Sequence, residues 1–520
     1  MIVEAQHASR RRHLGYLIAF AAAAAAYWAL RAATVNADGY QYYRMLTGGA
    51  LRAILMPGHL LYLPLVKAFA SPAAALVEQF NLLKFMVLIN VLAGAACLVA
   101  THATARRLGC SAQRSLFAVT GLALSFGFWI QATDVETYAL ALLGVCASFY
   151  CMARYAAELK LRWLVMLALA NAFAVMMHLA TASIVTASAL MILMAHWGSW
   201  RVLLGRLLAY GLCDVAVVVF PVLYIGFFIE RFGTLGEIAH WLTSWKDSTP
   251  KLLNWLSPAR AAYGFVRTFL YLEFFWEAPR WIIALKMTCF AAAASAAILS
   301  MWIFRPHMSS TGSLFWRSMV PFVLLQVAAG VLHYGSDTER WIFIAPLAWI
   351  CVSFALATRR SAIAACAMLG LLAAVNVSQA FIPAARNDAT RVRVAAIQRA
   401  VAKSSAILTP GLDWTMYIPL YSDWTPVMIT FDDVMKRAKT DQRAFFTELD
   451  AKIDQQLREN RPVVMVRILD PGENFATTPW QGLVDWGYSI EGIQAWARHR
   501  PWKEQRLDDP AGTRIYLLSP

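Results

Sequence analysis

The sequence predicts a polytopic α-helical membrane protein of about eleven transmembrane helices, with a small C-terminal extracytoplasmic α/β domain. Three observations predict it. The 520 residues are 59% hydrophobic and only 15% charged, with mean hydropathy +0.52, whereas soluble domains run about 45–50% apolar and about 25% charged. Apolar segments near 20 residues, the length that crosses a bilayer's hydrocarbon core, recur through the first 385 residues. Charge is also unevenly divided. Residues 386–520 hold 18 Lys/Arg and 17 Asp/Glu, whereas residues 1–385 hold 28 and 14. The expected division is therefore a membrane domain over 1–385 and a soluble domain over 386–520.

Taken in order, the apolar segments fall near 14–34, 80–104, 114–132, 137–156, 162–179, 181–198, 204–229, 281–304, 315–334, 341–358 and 361–384. Arg10, Arg11 and Arg12 precede the first. That run exceeds a signal-peptide core and ten more follow, so an uncleaved span is expected. With the N-terminus cytoplasmic, one set of loops collects fifteen basic residues against two acids, Glu4 and Glu158. Basic loops stay inside, so this orientation is expected, and eleven crossings put the C-terminal domain outside. Residues 258–280 carry Arg260, Arg267, Glu273, Glu277 and Arg280, and are read as an interfacial or re-entrant segment.

Two external connections are long, 35–79 and 230–280, the second rich in tryptophan as interfacial anchors are. The tail alternates β-like runs (AILTPG, PVMITF, PVVMVRIL, RIYLLS) with helical stretches near 433–459 and 480–497, the pattern of a small α/β domain. The net charge of +15 lies among hydrophobic helices, so nucleic acid is not an expected partner; the lipid bilayer is. All eight cysteines lie before residue 385, without disulfide or zinc spacing.

Eleven of the fourteen acids of residues 1–385 gather on the outer side. Ionisable groups at bundle mouths are costly to desolvate unless paired and often mark function. Asp38 follows the first span; with Gln41 it also resembles a helix capping box. Asp134 and Glu136 open the fourth span, where negative charge also complements the helix dipole. HYGSDTERW brings Asp337, Glu339 and Arg340; there an Asp337 cap, an i,i+3 pair and a snorkelling arginine compete with a binding role. His59, after Pro57–Gly58, and His178, near the outer end of the fifth span, are read either as ligand contacts or as solvated residues. The sequon at Asn376 sits inside an apolar span and is discounted as a glycan site.

Asp38–Gly39, the run Pro57-Gly58-His59-Leu60-Leu61-Tyr62, Asn81 and FWIQATDVETYAL at 128–140 together resemble the polytopic GT-C glycosyltransferases. The likeness is to their protein O-mannosyltransferase-like branch and covers about residues 30–160. The resemblance implies a GT-C-like membrane domain that moves a sugar from a polyprenyl-phosphate donor to a protein, lipid or glycan acceptor, outside the cytoplasm and with inversion. Single displacement needs a carboxylate to take the acceptor proton, a role given to Asp38. The branch often carries a second acid soon after this aspartate. Here those positions read Tyr40–Gln41, so Asp38 acts alone or with Asp134 or Glu136, and Glu136 is the alternative base. The departing phosphate needs positive charge, from Arg340 first, then Arg44, His59 and Lys246. Tyr138, His178, Asp337 and Glu339 are expected to position substrate. Asp38, Asp134 and Glu136 offer hard oxygen ligands for a divalent ion, but no spacing fixes three of them together; no metal or other cofactor is expected.

Two other readings compete. A transporter or flippase would show inverted repeats, and no two-half symmetry is present. A non-catalytic scaffold with a binding tail would leave the outer acids without a shared role. The alanine-rich, basic-punctuated composition points to a bacterial inner membrane, with the C-terminal domain periplasmic.

Overall fold

The computed structural model describes residues 2–48, 50–243, 257–272, 279, 281–291, 310–332, 335–354, 356, 359–386, 389–411, 417–419, 421–422, 424–438, 441–469, 483, 487–509 and 512–520; for 2–13, 37, 310, 359–361, 389, 432 and 436 only the backbone is described. Two compact units result. One comprises Met1–Ala32 with Tyr42–Ala385, the other Ala33–Gln41 with Arg386–Pro520.

The first unit is helical. Its elements are α1 (Ile2–Ala29), α2 (Ala37–Thr47, begun in the second unit), α3 (Leu51–Ile54), α4 (Tyr62–Leu76), α5 (Leu82–Arg107), α6 (Ala112–Leu124), α7 (Phe126–Thr133), α8 (Tyr138–Glu158) and α9 (Leu161–Met177). They are followed by α10 (Ser183–His196), α11 (Trp200–Asp214), α12 (Phe220–Tyr224), α13 (Leu235–Thr243) and α14 (Ser257–Phe269). Then come α15 (Trp281–Ala291), α16 (Ser310–Leu332), α17 (Ala345–Phe354), α18 (Arg359–Asn376) and α19 (Ile382–Arg386).

Among the described residues six helices are long and apolar enough to cross a membrane, seven if α6 and α7 form one bent span. Four other expected spans meet shorter apolar helices: Leu14–Ala29, Leu161–Met177, Trp281–Ala291 and Ile342–Phe354. By length, six or seven of the eleven expected spans are met among the described residues, and two of the shorter helices have a visible cause. At the end of α9 the chain leaves the helix at His178, which is extended at φ −159°. Before α17 it passes through two 3₁₀ turns, Thr338–Arg340 and Ile342–Ile344. Within 258–280 the described helix α14 has 13 residues, about 20 Å at 1.5 Å per residue, short of the roughly 30 Å core.

The α6–α7 bend of 67° is set by packing. Trp349 donates its indole N–H to Ser125 Oγ at 2.9 Å. A Cβ on Gly121 would lie 2.3 Å from that same indole, so only glycine admits the ring. Asn376 fastens the other side, donating to Leu124 O at 2.6 Å and Phe269 O at 2.8 Å, and accepting from Tyr271 N at 2.7 Å. Its amide is fully buried.

The second unit holds a five-stranded sheet in the order β2-β1-β3-β5-β4. The strands are β1 (Ala406–Thr409), β2 (Met428–Thr430), β3 (Val463–Val466), β4 (Lys503–Arg506) and β5 (Arg514–Leu518). β1 pairs parallel with β2 and β3, while β5 runs antiparallel to β3 and β4. β1 and β3 read as unbroken apolar runs because both faces are covered. Leu408 and Met465 enter one core, Ile407 and Val464 the other. β4, KEQR, is a largely exposed edge strand, and charge there discourages sheet-to-sheet pairing.

Candidate active site

The bend between α7 and α8 leaves a buried turn, Asp134–Val135–Glu136–Thr137. Asp134 is 8% exposed and Glu136 2%. Asn90, in the middle of α5 and fully buried, holds this turn: its Nδ2 donates to Asp134 O and to Glu136 O, both at 2.7 Å. Asp134 Oδ1 accepts from Val135 N at 2.7 Å. Tyr62, the first residue of α4, is fully buried. Burial, then the nearby Glu136 carboxylate, holds its hydroxyl protonated far above the usual phenol range.

A second strand of the site comes from the Pro57–Gly58 turn. His59 N donates to Met56 O at 3.0 Å, and Gly58 takes φ +86°, the third position of a type II turn that excludes ordinary side chains. Two backbone bonds tie this turn to the end of α9: Leu179 N to Gly58 O at 2.9 Å and Leu61 N to Met176 O at 2.9 Å. They bring His59 against His178, ring centroids 4.4 Å apart and edge to face. His178 in turn lies 4.4 Å from the Tyr138 ring. Its Nδ1 accepts from Ala180 N at 3.1 Å, which leaves Nε2 the protonated nitrogen of the neutral ring. Burial, helped by the positive Arg340, pushes His59 down to about 4 against a hydrogen bond from its ring to Met177's backbone. His59 is therefore neutral at physiological pH, and its Nδ1 is buried with no hydrogen-bond partner among the described residues.

The third contribution is the turn 335–340. Asp337 caps it, accepting from Glu339 N at 3.2 Å. Glu339, Arg340 and Asp337 all act electrostatically on Tyr138. Arg340 Nε is buried and has no hydrogen-bond partner among the described residues. The turn is held by close backbone packing. A Cβ on Gly264 of α14 would sit 2.0 Å from Gly335 O, and one on Gly335 would sit 2.3 Å from Gly330 O. Trp341 donates to Gly335 O at 2.8 Å, and Thr268 Oγ1 donates to Thr338 O at 3.4 Å.

Asp134, Glu136, Tyr138, His59, His178, Asp337, Glu339 and Arg340 therefore gather at one end of the first unit. Arg340 is the one cation of that set. Arg44 is exposed in the last turn of α2. Asp38 is exposed in the first turn of the same helix, in the segment that groups with the second unit. Lys246 lies outside the described residues, as do Trp245, Trp255, Glu273, Trp276, Glu277 and Arg280. Sequence reasoning assigned no role to Asn90 or Tyr62. Asn90 did carry a signal, an amide in the apolar run FMVLINVLAG, because an amide in that setting must be satisfied inside the protein. Among the described residues, no three His, Cys, Asp or Glu side chains are grouped as a metal site requires.

No family model and no curated protein matches this sequence. Among solved structures the chain is similar to the oligosaccharyltransferase AglB from Archaeoglobus fulgidus, in complex with an inhibitory peptide and a dolichol-phosphate. That likeness has TM-score 0.49 and 12% identity, over 97% of this chain and 74% of that one. It is also similar to ArnT from Cupriavidus metallidurans bound to undecaprenyl phosphate, with TM-score 0.41 and 13% identity over 97% and 98% of the two chains. Apo ArnT gives TM-score 0.41 and 14% identity over the same shares.

Proposed function

We propose that the protein is a membrane glycosyltransferase of GT-C type, on the side of the O-mannosyltransferase-like branch that residues 30–160 resemble. It moves a sugar from a polyprenyl-phosphate donor to a protein, lipid or glycan acceptor outside the cytoplasm, with inversion and without a resident metal. The observation that supports this is the convergence of buried carboxylates, neutral imidazoles and one arginine with a buried, unpartnered Nε at one end of an apolar bundle. Carboxylates and neutral imidazoles suit sugar hydroxyls, while a desolvated guanidinium suits phosphate oxygens.

In the reaction the acceptor oxygen bonds to the anomeric carbon from the face opposite the phosphate. The carbon–oxygen bond to phosphate breaks, and its electron pair leaves with the polyprenyl phosphate, facing Arg340. The acceptor proton goes to a carboxylate, Asp38. Glu136 is the second candidate, favoured by its burial beside Tyr62 and by the Asn90 clamp on its backbone. His178, Tyr138, Asp337 and Glu339 orient the sugar and acceptor, with Asp134; Arg44, His59 and Lys246 are further candidates at the phosphate. The chain belongs on this reading to a bacterial inner membrane, N-terminus cytoplasmic and C-terminal domain periplasmic.

The test is sugar transfer by purified protein from polyprenyl-phosphate-linked donors, comparing wild type with Asp38→Asn, Glu136→Gln and Arg340→Lys. Loss of a general base lowers the rate about 10²–10⁴-fold. Full activity in Asp38→Asn with loss in Glu136→Gln moves the base to Glu136. Absence of donor binding and turnover in the wild type ends the reading.

A further inference from the structure

The end of the bundle away from these carboxylates carries a second site. Glu158 closes α8, 20 residues after Tyr138, so about 30 Å along the helix. Its two oxygens face four cations: Arg107 at 3.0 Å, Arg154 at 2.5 Å, Lys160 at 3.6 Å and Arg162 at 3.2 Å. Trp163 also donates to it at 2.9 Å. One carboxylate cannot neutralise four cations, and three positive charges remain in surplus. Arg154 and Arg162 both lie over the Trp163 ring, 4.3 and 5.3 Å from its centroid. Arg154 Nε is buried with no hydrogen-bond partner among the described residues.

Directly above this cluster lies an apolar groove of about 600 Å³ between α1, α5, α8 and α9. Its α5 wall is Ala96, Val99, Ala100 and Ala103, and the same helical stripe ends on Arg107. Its α8 wall is Ala147, Tyr150 and Cys151, and that stripe ends on Arg154. Trp163 belongs to both groove and cluster. From Ala96 to Arg107 is eleven residues, about 16 Å of helix, close to half the roughly 30 Å hydrocarbon core. Groove and cluster together thus run about as far as one leaflet is deep, apolar from Ala96 to Ala103 and cationic at Arg107.

We infer that this groove and cluster bind one anionic phospholipid, an acyl chain along the small residues of α5 and α8 and the phosphate against Arg107, Arg154 and Arg162. The occupant is a lipid rather than a free anion because the cations close one end of an apolar groove. The site is independent of the glycosyltransferase reading, since it lies at the opposite end of α8.

The test uses full-length protein in nanodiscs of phosphatidylcholine mixed with phosphatidylglycerol, followed by native mass spectrometry of retained lipid. Wild type is expected to keep one phosphatidylglycerol per chain in preference to phosphatidylcholine. The double variant Arg107→Gln, Arg162→Gln removes two exposed cations, each worth about fivefold at a lipid surface. The preference should fall about twenty-five-fold. Ala100→Phe with Ala103→Phe fills the groove and should abolish retention of either lipid. Equal retention of both lipids by wild type, or unchanged retention in the groove-filled protein, overturns the proposal. So does displacement of phosphatidylglycerol by millimolar inorganic phosphate, the result for a free-anion site. Should the groove-filled protein fail to fold, the arginine pair decides.

Discussion

His59 and His178, 119 positions apart in the chain, meet edge to face with ring centroids 4.4 Å apart. The contact exists because Gly58 and Leu179 share a backbone hydrogen bond, and both rings then lie near Arg340. A doubly protonated pair beside a guanidinium would be strongly unfavourable, so the neutral state is built into the site.

That arrangement predicts an acid-sensitive stability. His59 is lowered from 6.5 to about 4, so the unfolded chain binds a proton more readily across that interval. Its contribution is fully present above about pH 6.5 and is lost as pH falls toward 4, on the order of 3 kcal/mol in total. Thermal unfolding of detergent-solubilised protein should therefore show a melting temperature falling between those limits. His59→Gln should fall less over the same range; equal slopes would refute the assignment.

Asn90→Leu should loosen the carboxylate turn. It removes two buried hydrogen bonds to the carbonyls of Asp134 and Glu136, each worth about 1 kcal/mol net and more when the acceptors are left unsatisfied. A loss of about 2–4 kcal/mol in unfolding free energy is expected, with transfer activity reduced more than protein yield. An activity unchanged from wild type would show that the turn does not need this clamp.

Two glycine substitutions should behave oppositely. Gly264→Ala pushes a Cβ to 2.0 Å from Gly335 O, and backbone has no rotamer with which to yield, so a cost of about 3 kcal/mol or failure to fold is expected. Gly370→Ala in α18 meets nothing within 4 Å and should be neutral or stabilising by about 0.5–1 kcal/mol. Equal effects in expression level and melting temperature would contradict the packing described.

In the second unit, Arg500 donates to Asp450 at 2.8 and 3.1 Å and to Asp454 at 2.7 Å, joining residues beyond Ile490–Arg498 to the helix Gln442–Arg458. Lysine cannot reproduce this fork. Arg500→Lys should cost about 1 kcal/mol, discounted for the half-exposed aspartates, and the difference should shrink in molar salt. A salt-independent loss would assign the effect to packing.

Much of this architecture is legible along the chain. Where they are described, the apolar segments coincide with helices because an apolar run in lipid must satisfy its backbone internally, and AILT, MIT, VVMV and RIYLL stand out as β runs between polar stretches. Asp134, Glu136, Asp337, Glu339 and Arg340 were visible because charge is rare in such a sequence. β4 was not legible: KEQR has no apolar alternation, and only pairing with β5 makes it a strand. Nor was the grouping of residues 33–41 with the C-terminal unit, since a segment's packing partner is not written in its own residues. The close fit of Gly264 on Gly335 likewise needs the tertiary partner to be known.

That fit has a mechanical consequence. Gly330, Gly335 and Gly264 leave no gap into which the 335–340 turn can retreat, and Trp341 seals it from the other side. The backbone that carries Arg340 therefore cannot move toward α14 while α14 stands still. A shift of this turn toward α14 must carry that helix along with it, so α14 sets where the arginine stands.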